Sequence, residues 1–215
     1  MIPSSNPKLA QLYAFFDEKG PARLQGLDDS YFSDFNQAER EEAWGFLKEK
    51  FWLSTDCIAG LYLIDPLKAV ELFKTTLELP CPISPYVAMQ EALEGNRLLM
   101  LSYVNKTEFD EKYVNSFIQF SESKFPKIRA EFASAIPTSH ITPALVDALK
   151  SMIFTETERV PLTNAITKLM VIHGLDFDAE DPLYKSIYLS LRSDDVKEKK
   201  SAMLRLEKIQ TPDFR

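Results

Sequence analysis

Glycine is scarce in this chain, with six in 215 residues, where roughly 7% is usual. Sheet-rich proteins use glycine in hairpin turns that require positive φ. Its scarcity, with no stretch of alternating Val, Ile and Thr, points away from β-structure. Cysteine is equally sparse. Cys57 and Cys81 are too few for a disulfide framework and read as thiols in a reducing compartment. The two histidines, His140 and His173, come with no CxxC or HExxH pattern, so the usual zinc arrangements are unsupported. There is no Gly-x-Ser-x-Gly elbow and no glycine-rich phosphate loop. The longest apolar run, Ile58 to Ile64, is far short of the about 20 residues that cross a bilayer. The start, MIPSSNPKLAQLY, lacks the basic and apolar regions of a signal peptide. A cytoplasmic protein without a membrane segment is expected.

Hydrophobic residues make up 45% of the chain and charged residues 27%, which is ordinary for a globular protein with a core. Net charge is −7, which disfavours nonspecific nucleic-acid binding because phosphate contacts need clustered Lys and Arg. The charge is uneven: residues 1–122 hold 11 basic and 19 acidic side chains, and residues 123–215 hold 14 and 13. An acidic N-terminal half suits a basic partner protein.

A capping residue followed by proline recurs at Asn6-Pro7, Asp65-Pro66, Ser84-Pro85, Thr142-Pro143 and Asp181-Pro182. The capping oxygen accepts a free backbone N–H, and proline at the first helical position has none to satisfy. These pairs predict five helix starts. The first helix should run from Pro7 to Lys19, with Leu9, Leu12, Tyr13 and Phe16 inward and Gly20 as its stop. Loop aromatics Tyr31, Phe32 and Phe35 should tuck beneath the first repeat. Asn36 with Glu39 predicts a capping box opening a helix to about Trp52. Further helices are expected over Ser54–Ile64, Asp65–Leu79, Pro85–Glu94, Asn96–Val104, Thr107–Ser123 and Asp194–Gln210, with Gly95 and Asn105 as punctuation. Pro80-Cys81-Pro82-Ile83-Ser84-Pro85 must be extended or turning, because residues before proline avoid the helical region.

From Lys124 onward a line returns three times: KFPKIRAEFASAI, RVPLTNAITKLMVI and DVKEKKSAMLRLEKI. Aligned on Ile128, Val160 and Val196, the copies lie 32 and 36 residues apart. A small residue follows five positions later (Ala133, Ala165, Ser201), then an aliphatic one (Ile136, Leu169, Leu204). These offsets share one helix face, and such a period suits one two-helix unit per repeat. Ile128-Arg129 with Ala130, Ala133 and Ala135, and Asp195-Val196-Lys197 with Ala202 and Leu204, resemble the HEAT-repeat pattern, departing from it at Pro161 and Lys200. The resemblance implies an all-α fold, a right-handed α-solenoid of stacked antiparallel helix pairs of the HEAT/armadillo kind. One domain over 1–215 is expected, with N-terminal helices in 1–53, loose repeats in 54–123 and clearer repeats in 124–210.

Catalytic and metal chemistry finds little footing. Asp176-Phe177-Asp178-Ala179-Glu180-Asp181 starts like a calcium loop, but Asp181 stands where that loop needs Gly and Ile187 where it needs Glu. Acid pairs such as Asp28-Asp29, or Glu156 with Glu158, have the groups for acid–base work, as paired surface carboxylates commonly do. No cofactor is expected. The leading expectation is a non-catalytic protein-binding solenoid, an immunity or adaptor protein that holds a basic partner. Its candidate contact residues are Trp44 and Trp52, placed on one helix, which anchor a partner where exposed and are more often core, with the carboxylates Asp28, Asp29, Glu41 and Glu42. The alternatives are a scaffold subunit of a larger complex, or a DNA alkylation-repair glycosylase, since some HEAT-like solenoids are such enzymes.

A helix crossing at roughly 8–10 Å needs a short side chain at the contact. Ala133→Leu or Ala165→Leu is therefore expected to overpack a crossing and cost roughly 1–3 kcal/mol. Thermal denaturation checks this, and an unchanged melting curve for Ala133→Leu would reject the alignment.

Overall fold

The computed structural model describes residues 6–18 and 26–209, with Leu53 described by its backbone alone. The expected stop at Gly20 and the end at Gln210 fall outside them. The described residues contain eleven α-helices and no strand. They are α1 (Pro7–Asp17), α2 (Gln37–Lys50), α3 (Thr55–Ile64), α4 (Pro66–Leu77), α5 (Val87–Thr107), α6 (Glu111–Asn115), α7 (Pro126–Ala135), α8 (Pro143–Thr155), α9 (Arg159–Ile172), α10 (Pro182–Arg192) and α11 (Val196–Leu206). None is long and apolar enough to cross a membrane. The chain divides into two compact units, Met1–Tyr103 and Val104–Arg215.

Four of the five cap–proline pairs start helices as expected. Asn6, Asp65, Thr142 and Asp181 each accept a backbone N–H from the first turn, with proline beside them. Ser84-Pro85 stands two residues ahead of its helix, and the Ser84 hydroxyl instead accepts the Tyr86 N–H at 3.2 Å. The capping box forms as expected. The Asn36 side chain takes the Glu39 N–H at 3.0 Å, and Glu39 takes that of Asn36 at 2.6 Å.

In the first unit, α1, α2 and the turn Asp29–Tyr31 share an aromatic core. Phe15 takes the buried position expected of Phe16, while Phe16 and Tyr13 pack against Phe46 at 5.3 and 4.7 Å between ring centres. Phe32 and Phe35 are buried, as expected of the loop aromatics. Helices α2 and α3 meet at Gly60, where a methyl would come within 2.9 Å of Leu47. The expected break at Gly95 does not occur, and α5 runs through it. Glycine inside a helix costs only about 1 kcal/mol relative to alanine, and buried Leu93, Leu98, Met100, Leu101 and Val104 outweigh that.

In the second unit the expected helix Thr107–Ser123 is divided. Asp110 caps a new start at α6 by accepting the Lys112 N–H at 2.9 Å. The chain then tightens into a 3-10 segment, Ser116–Phe120, where Ser116, Gln119 and Ser121 side chains bond back to the main chain and compete with α-helical geometry. Tyr113, Phe117 and Phe120 still form the buried stripe.

The repeat alignment is out of register by one position after its first copy. Ile128 is buried, but Val160 is 61% exposed and Val196 and Leu204 are exposed as well. The positions that share burial are Phe132, Ala165 and Ala202; Ala133, Ile166 and Met203; and Ile136, Leu169 and Leu206. Within each set the spacing is 33 and then 37 residues. The shift follows from Pro161, which is buried and takes the place of Ile128. Helix α7 packs along α9, which also contacts α8 and α10, and α10 pairs with α11.

Helix C-termini carry unpaired carbonyls, and among the described residues glycine closes α9. Gly174 sits at φ 76 after α9, with Gly174 N–H on Val171 O and Leu175 N–H on Met170 O, a Schellman closure. Four other ends receive a cation from a neighbouring helix. Arg40 reaches Ile64 O at 3.0 Å, Arg97 reaches Leu77 O at 2.8 Å, and Lys168 and Lys199 reach Ile136 O and Ile153 O, each at 2.6 Å. Burial lowers the pKa of Lys168.

Two glycine substitutions should act oppositely. Gly174→Ala forces a side chain into the left-handed region and should cost about 1–2 kcal/mol. Gly45→Ala, in the body of α2 with nothing within 4 Å of the added methyl, should stabilise by roughly 0.5–1 kcal/mol. Urea titration of both variants measures the contrast.

Candidate functional site

Of the six side chains singled out in the sequence, Trp44 is buried, Trp52 is half-buried and the four carboxylates are exposed. Helix α2 ends at Lys50, and Trp52 lies in the following 3-10 turn, Phe51–Leu53, so Trp44 and Trp52 do not share a helix. Trp44 is 8% exposed and faces inward, with the Lys68 ammonium 4.3 Å from its ring centre. Trp52 is half-buried against Phe51, and its carbonyl accepts the Asn96 side chain at 2.7 Å. The four carboxylates are exposed. Asp28 takes the Ser30 hydroxyl and N–H, which hold its carboxyl below the ordinary range. Asp29 opens the short turn that Asp28 caps. Glu41 takes the Gln37 amide and Glu42 the Tyr13 hydroxyl at 2.8 Å. Burial first, then Glu42, pushes the Tyr13 pKa up to about 12.

Among the described residues of the first unit, the two most exposed large apolar side chains lie elsewhere, in the proline-rich stretch between α4 and α5. Ile83 is 94% exposed and Tyr86 75%, flanked by exposed Leu79, Val87 and Met89. Pro80, Pro82 and Pro85 between them are exposed too. The inner side is fastened to α5. The Ser84 N–H donates to Gln90 Oε1 at 2.9 Å. Half-buried Cys81 lies beside Gln90, Arg97 and Glu94, and burial pushes its thiol pKa up. A thiol so held is protonated near neutrality and a poor nucleophile. Three prolines restrict the backbone while the outer face stays apolar, so the strip loses little freedom when covered. Its proline density was legible in the sequence; which side chains pointed out was not.

In the second unit, a cavity of about 280 Å³ opens at the end of α5, lined by Asn105, Lys106, Glu108, Phe109, Ser139 and His140 among others. His140 holds φ 56, the left-handed region, with its ring 5.4 Å from that of Phe109. His173 is buried at the C-cap of α9. Among the described residues no three of His, Cys, Asp and Glu gather as a metal site would require. In the acidic run, Asp178 accepts the Glu180 N–H, and Asp181 caps α10.

Glu156 has a structural partner. Arg129 of α7 grips it through two bonds, Nε to Oε2 at 2.5 Å and Nη2 to Oε1 at 2.9 Å, and also reaches Ser123 O at 2.7 Å. Oε1 also takes the Thr157 and Glu158 N–H groups ahead of α9. The Arg129 hydrogen bond holds the Glu156 carboxyl below its usual range against the opposing effect of burial. An ionised carboxylate in this grip ties α7 to the α8–α9 connection, and a general acid would need the pKa raised.

No family model matches the chain, and no curated protein or solved structure matches it significantly.

Since the folded-state pKa of Glu156 lies below its unfolded value, its stabilisation is complete above the unfolded range, about pH 4–5. It is lost as pH falls through the folded pKa. Glu156→Gln should cost about 2 kcal/mol at neutral pH, and the gap from the parent protein should close toward roughly pH 2. Chemical denaturation at both pH values reads this directly; a gap that persists in acid would mean packing, not charge, is lost.

Proposed function

We propose that the protein is a non-catalytic binding module, an α-solenoid of the HEAT-like kind that docks a basic partner protein in the manner of an immunity or adaptor protein. The observation that carries this is the exposed apolar strip around Ile83 and Tyr86, held rigid by three prolines and pinned from inside by Ser84. Contiguous exposed apolar surface of this kind marks interaction sites, with aromatic residues as anchors. Glu78 and Glu91 flank the strip in sequence, which suits an apolar centre with an acidic rim. The unit around it, residues 1–103, carries nine basic and fifteen acidic side chains, a charge that speeds encounter with a basic protein.

Support for the solenoid comes from the second unit. Buried positions return at 33 and 37 residues, and α9 contacts helices on both sides of it in sequence. In a solenoid each unit borrows its missing core from the next.

Affinity capture from native lysate should retain a stoichiometric basic protein whose recovery falls as salt rises. The double variant Ile83→Asp, Tyr86→Ala changes only exposed side chains and should fold normally. Loss of the partner with this variant is expected. Equal capture by both forms, or no stoichiometric partner at all, would reject the docking strip.

A further inference from the structure

Two helix faces of this protein are complementary in charge and in relief. On α11 the buried side chains are Lys199, Ala202, Met203 and Leu206. The opposite face carries Lys197, Lys200, Leu204 and Lys208, spaced three and four apart and all exposed. Leu204 itself is 60% exposed. The carboxylates of this helix end stand to either side and are held by neighbours. Glu198 accepts the Ser190 hydroxyl at 2.9 Å, and Glu207 pairs with Lys150 at 2.6 Å. The face between them is a basic stripe around one leucine.

On α2, Ala43, Trp44 and Leu47 are buried, and the outer face holds Ala38, Glu41, Glu42, Gly45 and Glu49. Glu41 and Glu42 accept hydrogen bonds from Gln37 and Tyr13, groups that bring no positive charge. Gly45 leaves a notch, with nothing within 4 Å of the place a Cβ would take. The two registers coincide. Lys200 and Lys208 stand four residues to either side of Leu204, and Glu41 and Glu49 four to either side of Gly45. At about 1.5 Å per residue each pair spans roughly 12 Å.

We propose that the occupant of each face is a second copy of this chain, with α11 of one copy laid along α2 of the next. Leu204 sits over the Gly45 notch, and the lysines before and after it meet the carboxylates. Like faces repel, because α11 on α11 opposes lysines and α2 on α2 opposes glutamates. The contact therefore joins different surfaces and adds copies head to tail. Exposed ion pairs are weak, and Lys48 at the edge of the α2 stripe opposes them, so the association has low affinity and depends on salt. It uses none of the residues of the docking strip.

The test is sedimentation velocity of the full chain across a wide concentration series. At low salt the average mass should rise with concentration, and at high salt it should return to that of one chain. Lys200→Glu with Lys208→Glu makes both faces acidic, and Glu41→Lys with Glu42→Lys and Glu49→Lys makes both basic. Each variant alone should associate at least about tenfold more weakly than the parent. An equimolar mixture of the two should associate again, since every face then meets its opposite. Gly45→Leu changes no charge but fills the notch, and should weaken assembly too. Far-UV circular dichroism checks that each variant is folded. A parent that stays monomeric throughout, charge variants that assemble like it, a mixture that does not, or indifference to Gly45→Leu would overturn the proposal. Salt-sensitive self-association alongside a failed lysate capture would remove the docking strip and leave this contact standing.

Discussion

A helix cannot satisfy its own last carbonyls, and the described residues of this protein are mostly helical, with little glycine to end the helices. The structure meets that constraint with charge. Arg40, Arg97, Lys168 and Lys199 leave their own helices and close the carbonyl ends of others. Such bonds do two things together. They satisfy acceptors that burial would otherwise leave costly, and they specify which helix end lies beside which residue. Apolar packing is non-directional, so a fold of short, similar helices gains its register from contacts of this sort. Arg129 extends the device to a side chain, gripping Glu156 and Ser123 O at the junction of α7 with the α8–α9 connection.

The apolar seam and the polar ties divide the work in the second unit. Phe132, Ala165 and Ala202 mark one buried line through α7, α9 and α11. A large side chain on α7 is followed by small ones on α9 and α11, so the first crossing is not the alanine-on-alanine contact that the repeat suggested. Asn164 adds a direct tie, its amide reaching Ala130 O at 3.1 Å on α7. Lys168, one turn later, closes the end of the same helix. Two successive turns of α9 are thus indexed against α7 by polar atoms, with the apolar face filling the space between.

The surfaces with chemical character lie outside these ties. The strip at Ile83 and Tyr86 is apolar and stiff, and the cavity at Glu108 and Phe109 is polar and open. Cys81, on the inner side of the strip, is pushed toward its thiol form by burial, and Glu156, which belongs to neither surface, is held as a carboxylate by Arg129.

Local chemistry was legible in the chain wherever it needed only neighbours in sequence. The Asn36–Glu39 capping box, four of the cap–proline starts and the stripe of Tyr113, Phe117 and Phe120 are written within a turn or two, and backbone capping or helical spacing suffices to read them. Tertiary packing decided the rest. Gly95 looked like a stop and became the middle of α5, because burial on both sides outweighs one weak residue. Val160 looked inward, but buried Pro161 moved the register by one, and a helix turns about 100° per residue. Trp44 became core and Ile83 surface for the same physical reason: exposure belongs to what packs against a side chain, and those neighbours are brought together only by folding.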